Sequence, residues 1–255
     1  MIFRNGETDI PLLPEMPELW QQTLNWQPTA EQQCQFQRLY ELTLEGNRQL
    51  NLTRITDPLE FWEKHLWDSV RGVAPRGAIA SLQKDASEQR AIDIGTGAGF
   101  PGIPVAIALG SLTVTLLDST RKKMTFLQKL LVQLAIQNAT TVIGRAESIG
   151  QQPQYRQTYD VALIRAVGPA SVCAEYTLPL LKIGGLAVLY RGQWTDSDAE
   201  ALQSPVEHLG GVIESTEEFT TPLSQSIRHC LYLRKVAPTP TEFPRSAGIP
   251  AQQPL

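Results

Sequence analysis

The segment Asp93-Ile94-Gly95-Thr96-Gly97-Ala98-Gly99-Phe100-Pro101-Gly102 places four glycines between an apolar run and a helix-like stretch. Side chains at such positions would keep a ligand from the backbone, and a tight turn calls for positive φ. The helix that opens behind them, with Pro101 or Pro104 suited to its first turn, offers free N–H groups and partial positive charge to an anion. About twenty residues on, Asp118 ends the next apolar run, VTLLD, where a carboxylate can accept hydrogen bonds from two ribose hydroxyls. Loop and acid together describe a site for an adenosine-containing cofactor. A glycine turn serving packing alone fits this strand–loop–helix–strand–acid context less well.

Gly97-x-Gly99-x-x-Gly102 satisfies the dinucleotide fingerprint, but in a nicotinamide enzyme the first glycine should follow the strand directly. Here Asp93 and Gly95 come first. Asp-x-Gly-x-Gly-x-Gly suits S-adenosylmethionine better, because that cofactor has no pyrophosphate to cradle. Its amino-acid end carries an ammonium that Asp93 can attract, directly or through water. A nicotinamide-dependent oxidoreductase is the rival, and it needs a catalytic His, Lys or Tyr at the sheet edge, which the sequence does not single out. A non-catalytic RNA-binding or assembly protein would tolerate a defective loop, and this loop is intact.

The elements that must position this loop follow from periodicity. AIDIG, VTLLD, TTVIG, DVALIR and GLAVLYRG are strand-length apolar runs, separated by the helix-like PGIPVAIALG, RKKMTFLQKLLVQLAI and ASVCAEYTLPLLK. That alternation predicts an α/β fold, a mostly parallel doubly wound sheet with right-handed crossovers. A helix over SDAEALQSPVEHLGG then leads to strands VIESTEEF and HCLYLRK, expected to form an antiparallel edge. The domain reading is a helical extension over 1–90, a cofactor-binding domain over 91–235 and a Pro-rich tail over 236–255, extended across the surface. In the extension, helices are expected around Pro17–Asn25, from an N-cap at Thr29 to a break or C-cap at Gly46, and over Asp57–Val73 with Pro58 at N1. Residues 74–90 read as a connection.

Composition narrows the function classes. The chain has 255 residues, 42% hydrophobic and 19% charged, as in ordinary globular proteins. No apolar run nears the roughly 18 residues of a membrane span. The first residues have neither a basic nor a continuous apolar region of a secretory signal. Three distant cysteines suggest neither a disulfide framework nor a zinc site, and the expected compartment is the cytoplasm. With 22 Lys and Arg against 26 Asp and Glu the net charge is −4, so a nucleic-acid partner must be held by a local basic patch.

Arg121, Lys122, Lys123 and Lys129 line one helix beside the loop and are read either as a solvated face or as an RNA-facing patch. His65 and Asp68 lie three apart on a helix; a structural hydrogen bond at a helix–sheet interface is the preferred reading over a place near the target pocket. His208 and His229 have no ligand-spaced partners. Trp20, Trp26, Trp62 and Trp67 are expected in the core of the N-terminal helices.

DIGTGAGFPGIPVAIA, LLDSTRKKMTFL, Arg145-Ala146-Glu147, IRAV and LKIGGLAVLYRG occur in the order found in the small-subunit ribosomal RNA methyltransferase G family, also called glucose-inhibited division protein B. NLTRITDP and HLWDSV resemble that family's N-terminal helical signature, so the resemblance covers about Asn47 to Gly192. It implies a class I methyltransferase fold, and methyl transfer from S-adenosylmethionine to N7 of a guanine in the 530 loop of 16S rRNA. The expected substrate lies within the small ribosomal subunit and the expected state is a monomer. Carried over residue by residue, the resemblance implies that Gly95, Phe100, Asp118-Ser119-Thr120 and Arg165 line the cofactor, with Ala146-Glu147 near the adenine. Gly97 and Gly99 complete the cradle, and Arg121, Lys122, Lys123 and Arg191 are candidate RNA contacts. Two departures stand out. The tail has Gln252 and Gln253 where lysines are expected, and Arg191 stands where a lysine is common. No catalytic residue or metal ligand is singled out. Methylation at a guanine N7, which has a lone pair and no proton, needs no general base.

Overall fold

The structure is a computed structural model that describes residues 10–74 and 89–255. Most of the expected connection at 74–90 therefore lies outside the described residues. Strands β1 (Arg90–Ile94), β2 (Thr113–Asp118), β3 (Ala139–Ile143), β4 (Tyr159–Arg165), β5 (Leu181–Arg191), β6 (Gly211–Thr220) and β7 (Ile227–Lys235) form one sheet. Its order is β3-β2-β1-β4-β5-β7-β6. The first five strands run parallel, and β7 pairs antiparallel with both β5 and β6. The strand order reverses between β1 and β4. In such sheets a crevice opens there beyond the strands' carboxyl ends, and ligands bind in it.

The N-terminal residues build an outer layer. Helix α1 (Pro17–Leu24) precedes α2 (Ala30–Leu50). Thr29 and Gln32 form a reciprocal capping box at the start of α2, and Gln32 Nε2 also donates to the Ile107 carbonyl at 2.8 Å. Gly46 does not end α2. The helix continues to Leu50, and Asn51 makes the left-handed exit at φ 47°. Gly46 instead permits a close approach: a Cβ there would lie 2.4 Å from the Phe126 ring.

Asp57 caps the next helical segment, its Oδ1 accepting from Leu59 N and Glu60 N, a cap worth about 1 kcal/mol. The expected single helix has three parts: α3 (Pro58–Phe61), a π-helical stretch (Trp62–Trp67) and α4 (Asp68–Arg71). Side-chain periodicity alone does not reveal the wider middle turn.

Helices α5 (Gly102–Ala108) and α6 (Arg121–Gln133) lie under this layer. Trp20, Phe36, Tyr40, Trp62 and Trp67 share one buried cluster with Ile103, Leu127 and Leu116, as expected for the tryptophans; Trp26 packs at its edge. The opposite face of the sheet carries α7 (Ala146–Gly150), α8 (Ala170–Thr177) and α9 (Asp196–His208) around Ile92, Ile94, Ile164 and Leu189. The helix expected through Lys182 stops at Thr177, and a 3-10 turn at Leu178–Leu180 leads into β5.

The tail is not merely extended over the surface. Phe243 and Thr239 are buried, and a short helix, α10 (Ile249–Gln252), closes it. Arg156 donates to the carbonyls of Thr239, Pro240 and Phe243, and Gln151 to those of Thr241 and Pro244. A Pro-rich chain has more acceptors than donors, and these two side chains supply donors. Arg245 forks onto the fully buried Glu175 at 2.6 to 3.2 Å. Among the described residues, no helix is long and apolar enough to cross a membrane, and no cluster of His, Cys, Asp and Glu could hold a metal ion.

Candidate functional site

The glycine loop leaves the end of β1 and folds over β2, with the amides of Gly95 and Thr96 both donating to the Leu117 carbonyl at 2.8 and 3.0 Å. Gly95 and Gly97 have φ of 68° and 59°, which L side chains rarely adopt. Above Gly97 the space is open: a Cβ there would meet only the Gly95 carbonyl, at 3.8 Å. Val167, in the turn after β4, covers Gly95, its Cγ2 lying 2.6 Å from where a Cβ would stand. Gly99 is closed in from below by Ile103 and Leu127 and serves the core. Only part of the cradle is therefore open, at Gly97.

Asp93 is fully buried beneath the loop. Its Oδ2 accepts the Thr96 hydroxyl at 2.5 Å and the Gly102 amide at 2.8 Å. Its Oδ1 is enclosed without a partner. Burial pushes this carboxyl up to about 6, against the opposing pull of the two hydrogen bonds and of Arg165. An enclosed carboxylate oxygen with no donor fits a site completed by a cationic group, directly or through water.

Asp118 stands where the sequence places it, at the end of β2. Oδ2 accepts from Gly97 N at 3.0 Å and Oδ1 from Thr120 N at 2.7 Å, so it links the two loops. Each oxygen retains a second lone pair for a ribose hydroxyl. Ser119 and Thr120 are exposed at the start of α6. Glu147 points elsewhere. It is buried, accepting from Tyr176 Oη at 3.2 Å and Gly248 N at 2.8 Å, and so tethers the tail. What Ala146-Glu147 can offer an adenine is main-chain N–H and the Ala146 methyl.

Arg165, at the end of β4, is engaged in the fold. Nη1 donates to Asp68 Oδ2 and to the Lys64 carbonyl, each at 2.8 Å. His65 and Asp68 thus do not bond each other; both face Arg165, and His65 stacks on Phe100. The helix–sheet tie preferred from sequence is present, made to Arg165, and it stands beside the glycine loop. Glu63, unremarked in the sequence, is buried in the same π-helical stretch and accepts the amides of Leu223 and Ser224 in the β6–β7 turn. Thr53 and Val167 fall inside the motifs NLTRITDP and IRAV but are not singled out there, because the groups they meet, the His65 imidazole and Gly95, are distant in sequence.

The basic candidates separate. Arg121, Lys122 and Lys129 are exposed and Lys123 half-buried, and among the described residues none has a carboxylate within ion-pair distance. Arg191 is committed to the Gly168 carbonyl at 2.7 Å and lies over Trp194. His229 is buried with Nδ1 2.7 Å from the Gly192 carbonyl, and His208 is exposed, edge-on to Phe243.

The fold is similar to the citrinin polyketide synthase CMeT domain, with TM-score 0.52 and 11% identity over 68% of this chain and 53% of that one. It is similar too to a 16S rRNA (adenine(1408)-N(1))-methyltransferase from Catenulisporales acidiphilia, with TM-score 0.50 and 16% identity over 64% of this chain and 91% of that one. These likenesses concern architecture, and the sheet with its antiparallel edge is that of class I methyltransferases. In sequence the chain is similar to ribosomal RNA small subunit methyltransferase G of Nostoc punctiforme, 68% identical over 96% of this chain and 99% of that protein. The same-named protein of Trichodesmium erythraeum is 57% identical over 98% and 97%. The GidB family model, rRNA small subunit methyltransferase G, matches residues 32–230. With most of its length so matched, the chain belongs to the rRNA small subunit methyltransferase G family.

Proposed function

We propose that the protein transfers a methyl group from S-adenosylmethionine to small-subunit rRNA, at N7 of a guanine in the 530 loop of 16S rRNA. The carrying observation is the open backbone at Gly97, flanked by Asp118 on one side and by the unpartnered Asp93 oxygen beneath. Family membership supports the rRNA substrate, and the guanine N7 rests on the sequence resemblance.

Asp118 would take the ribose, Ser119, Thr120 and Ala146 the adenine side, and Gly95, Gly97 and Asp93 the amino-acid end, with Phe100 behind them. When bound, the cofactor supplies an electrophilic methyl on a sulfonium. Guanine N7 presents a lone pair and no proton, so the protein need only hold the base in line and exclude water. The histidine nearest the loop agrees with this: burial first, then the charges of Arg165 and Lys64, lower His65 to about 3 and keep it from carrying protons near neutrality. Arg121, Lys122 and Lys123 would contact phosphates of the RNA, and cytoplasmic work on an assembled or assembling subunit follows from such a substrate.

Labelled S-adenosylmethionine offered to 30S particles, naked 16S RNA and a protein-only extract tests the reading, followed by mapping of the modified base. Label on a guanine N7 of 16S rRNA is expected. Label confined to protein or small molecules would refute the substrate while sparing methyl transfer, and tight binding of NAD(H) alone would refute the cofactor.

A further inference from the structure

His65 borders the cofactor loop from outside it. Its imidazole lies flat on the Phe100 ring, centroids 4.2 Å apart and planes within 8°. Phe61 closes the edge of both rings, at 4.9 Å from His65 and 5.6 Å from Phe100. Nε2 is 2.8 Å from Thr53 Oγ1, in the chain leaving α2, and Nδ1 is 3.5 Å from Arg165 Nη2 at the end of β4. One side chain therefore touches three separate parts of the fold around the loop.

The π-helical stretch sets this up. Its wider turn returns the Asp68 N–H to the Glu63 carbonyl. The next carbonyl, that of Lys64, is taken by Arg165, whose same nitrogen bonds Asp68. Such wide turns often sit at functional sites. Arg165 is thereby held beside the imidazole, and the Nδ1 that faces a guanidinium is the unprotonated one. The proton then sits on Nε2, donated to Thr53 Oγ1. The charged groups that act on the ring are Arg165 from β4 and Lys64 from its own segment, while Asp68 is turned to Arg165 and Thr53, Phe61 and Phe100 bring no charge.

Phe100 transmits this to the loop. Its amide donates to the Thr96 carbonyl at 3.0 Å, closing the turn that ends the cradle. We infer that His65 is a positioning residue of the methyl-transfer site: its flat face backs Phe100 and so holds the closing turn of the glycine loop in its binding shape. This rests on the proposed function for its cofactor, and deepens it by giving a role to a residue that touches neither cofactor nor substrate.

The test compares His65→Ala, His65→Leu and His65→Phe by calorimetric titration with S-adenosylmethionine, by kcat and KM on 30S particles, and by pH–rate profile. His65→Ala should weaken cofactor binding about tenfold, the upper range for an aromatic pair, with KM for 30S particles nearly unchanged. His65→Phe, which keeps a flat face and loses both nitrogens, should recover most of that affinity. His65→Leu fills the volume without the face and should not, so the Phe–Leu pair carries the test if His65→Ala does not fold. The wild-type and His65→Phe profiles should share one shape between about pH 5 and 8. Wild-type affinity in His65→Leu, or His65→Phe as weak as His65→Leu, would overturn the inference. A limb of the wild-type pH profile missing from His65→Phe and His65→Leu alike would make His65 a proton-transfer group instead. Cofactor binding intact in a wild type that leaves rRNA unmethylated would sink the substrate reading, and the titration would still decide the role of His65.

Discussion

Asp93 accepts the amide of Gly102 at 2.8 Å, nine residues along the chain, so one buried carboxylate ties both ends of the glycine loop together. That position sets opposite pH dependences for the empty and the filled site. The carboxyl titrates near 3.8 when unfolded and near 6 in the fold, because burial disfavours its charge. The folded form holds the proton more tightly, so the group's contribution to stability is full below about pH 4 and is lost as pH rises through about 6. The loss is on the order of 3 kcal/mol. Asp93→Asn, uncharged throughout, should therefore gain melting temperature relative to wild type as pH goes from 5 to 7.5. Affinity for S-adenosylmethionine should run the other way, rising in wild type over that range and staying flat in Asp93→Asn. Parallel melting curves and titrations at both pH values check the pair of signs.

Gly97 and Gly99 should fail differently. Gly97→Ala forces an alanine to φ 59° at a cost of about 1 kcal/mol and projects into open space, so the fold should survive while cofactor affinity falls. In Gly99→Ala the new methyl would stand 2.5 Å from Ile103 Cδ1 and 3.2 Å from Leu127 Cδ2, inside the core. That variant should show its loss in the melting temperature. Equal melting temperatures for the two would contradict the division of the loop into a ligand face and a core face.

The difference between these glycines marks how far sequence reading reaches. Asp93, Gly95, Gly97 and Asp118 are legible because their spacing is local and tied to strand ends, and the antiparallel edge is legible from two alternating runs. Thr29 and Asp57 announce their helices, since a cap and its amides lie within three residues. Gly46 reads as a break, because nothing nearby in sequence shows Phe126 lying against it. The Arg165–Asp68 and Arg245–Glu175 pairs are 97 and 70 residues apart and leave no local trace. The segment Ala146-Glu147 is legible as a candidate beside the adenine, but that the Glu147 side chain holds the tail depends on the distant Gly248 and is not.

Arg245→Ala should loosen that tail. It leaves Glu175, with no exposed surface, short of its charged partner, a change typically worth about 3 kcal/mol. Faster cleavage of the Glu242–Phe243 bond by a glutamate-specific endoprotease and a lower melting temperature are the expected readouts. A cleavage rate equal to wild type would show that Arg156 and Gln151 hold the segment by themselves.

Charge reversal at Lys122 and Lys123 should raise KM for 30S particles while leaving cofactor affinity nearly unchanged, since both belong to the rim rather than the cradle. The dependence of RNA affinity on salt should also flatten by roughly 0.7 in logarithmic slope for each phosphate that these lysines no longer neutralise. A KM that does not move at any ionic strength would remove α6 from the RNA-binding surface.

The seat of the Phe126 ring at Gly46 acts as a key for α2. A one-residue rotation of that helix, about 100°, would present Glu45 or Asn47 to the ring, and neither leaves room. Gly46 therefore favours the observed azimuth over its neighbours. At that azimuth the Asn47 amide grips Thr53 from both sides, by 2.8 Å to its carbonyl and 3.0 Å from its N–H. Thr53 in turn meets the imidazole that lies on Phe100. The absence of one methyl group on α2 is thus felt, through a train of side chains, as the orientation of a buried aromatic ring behind the glycine loop.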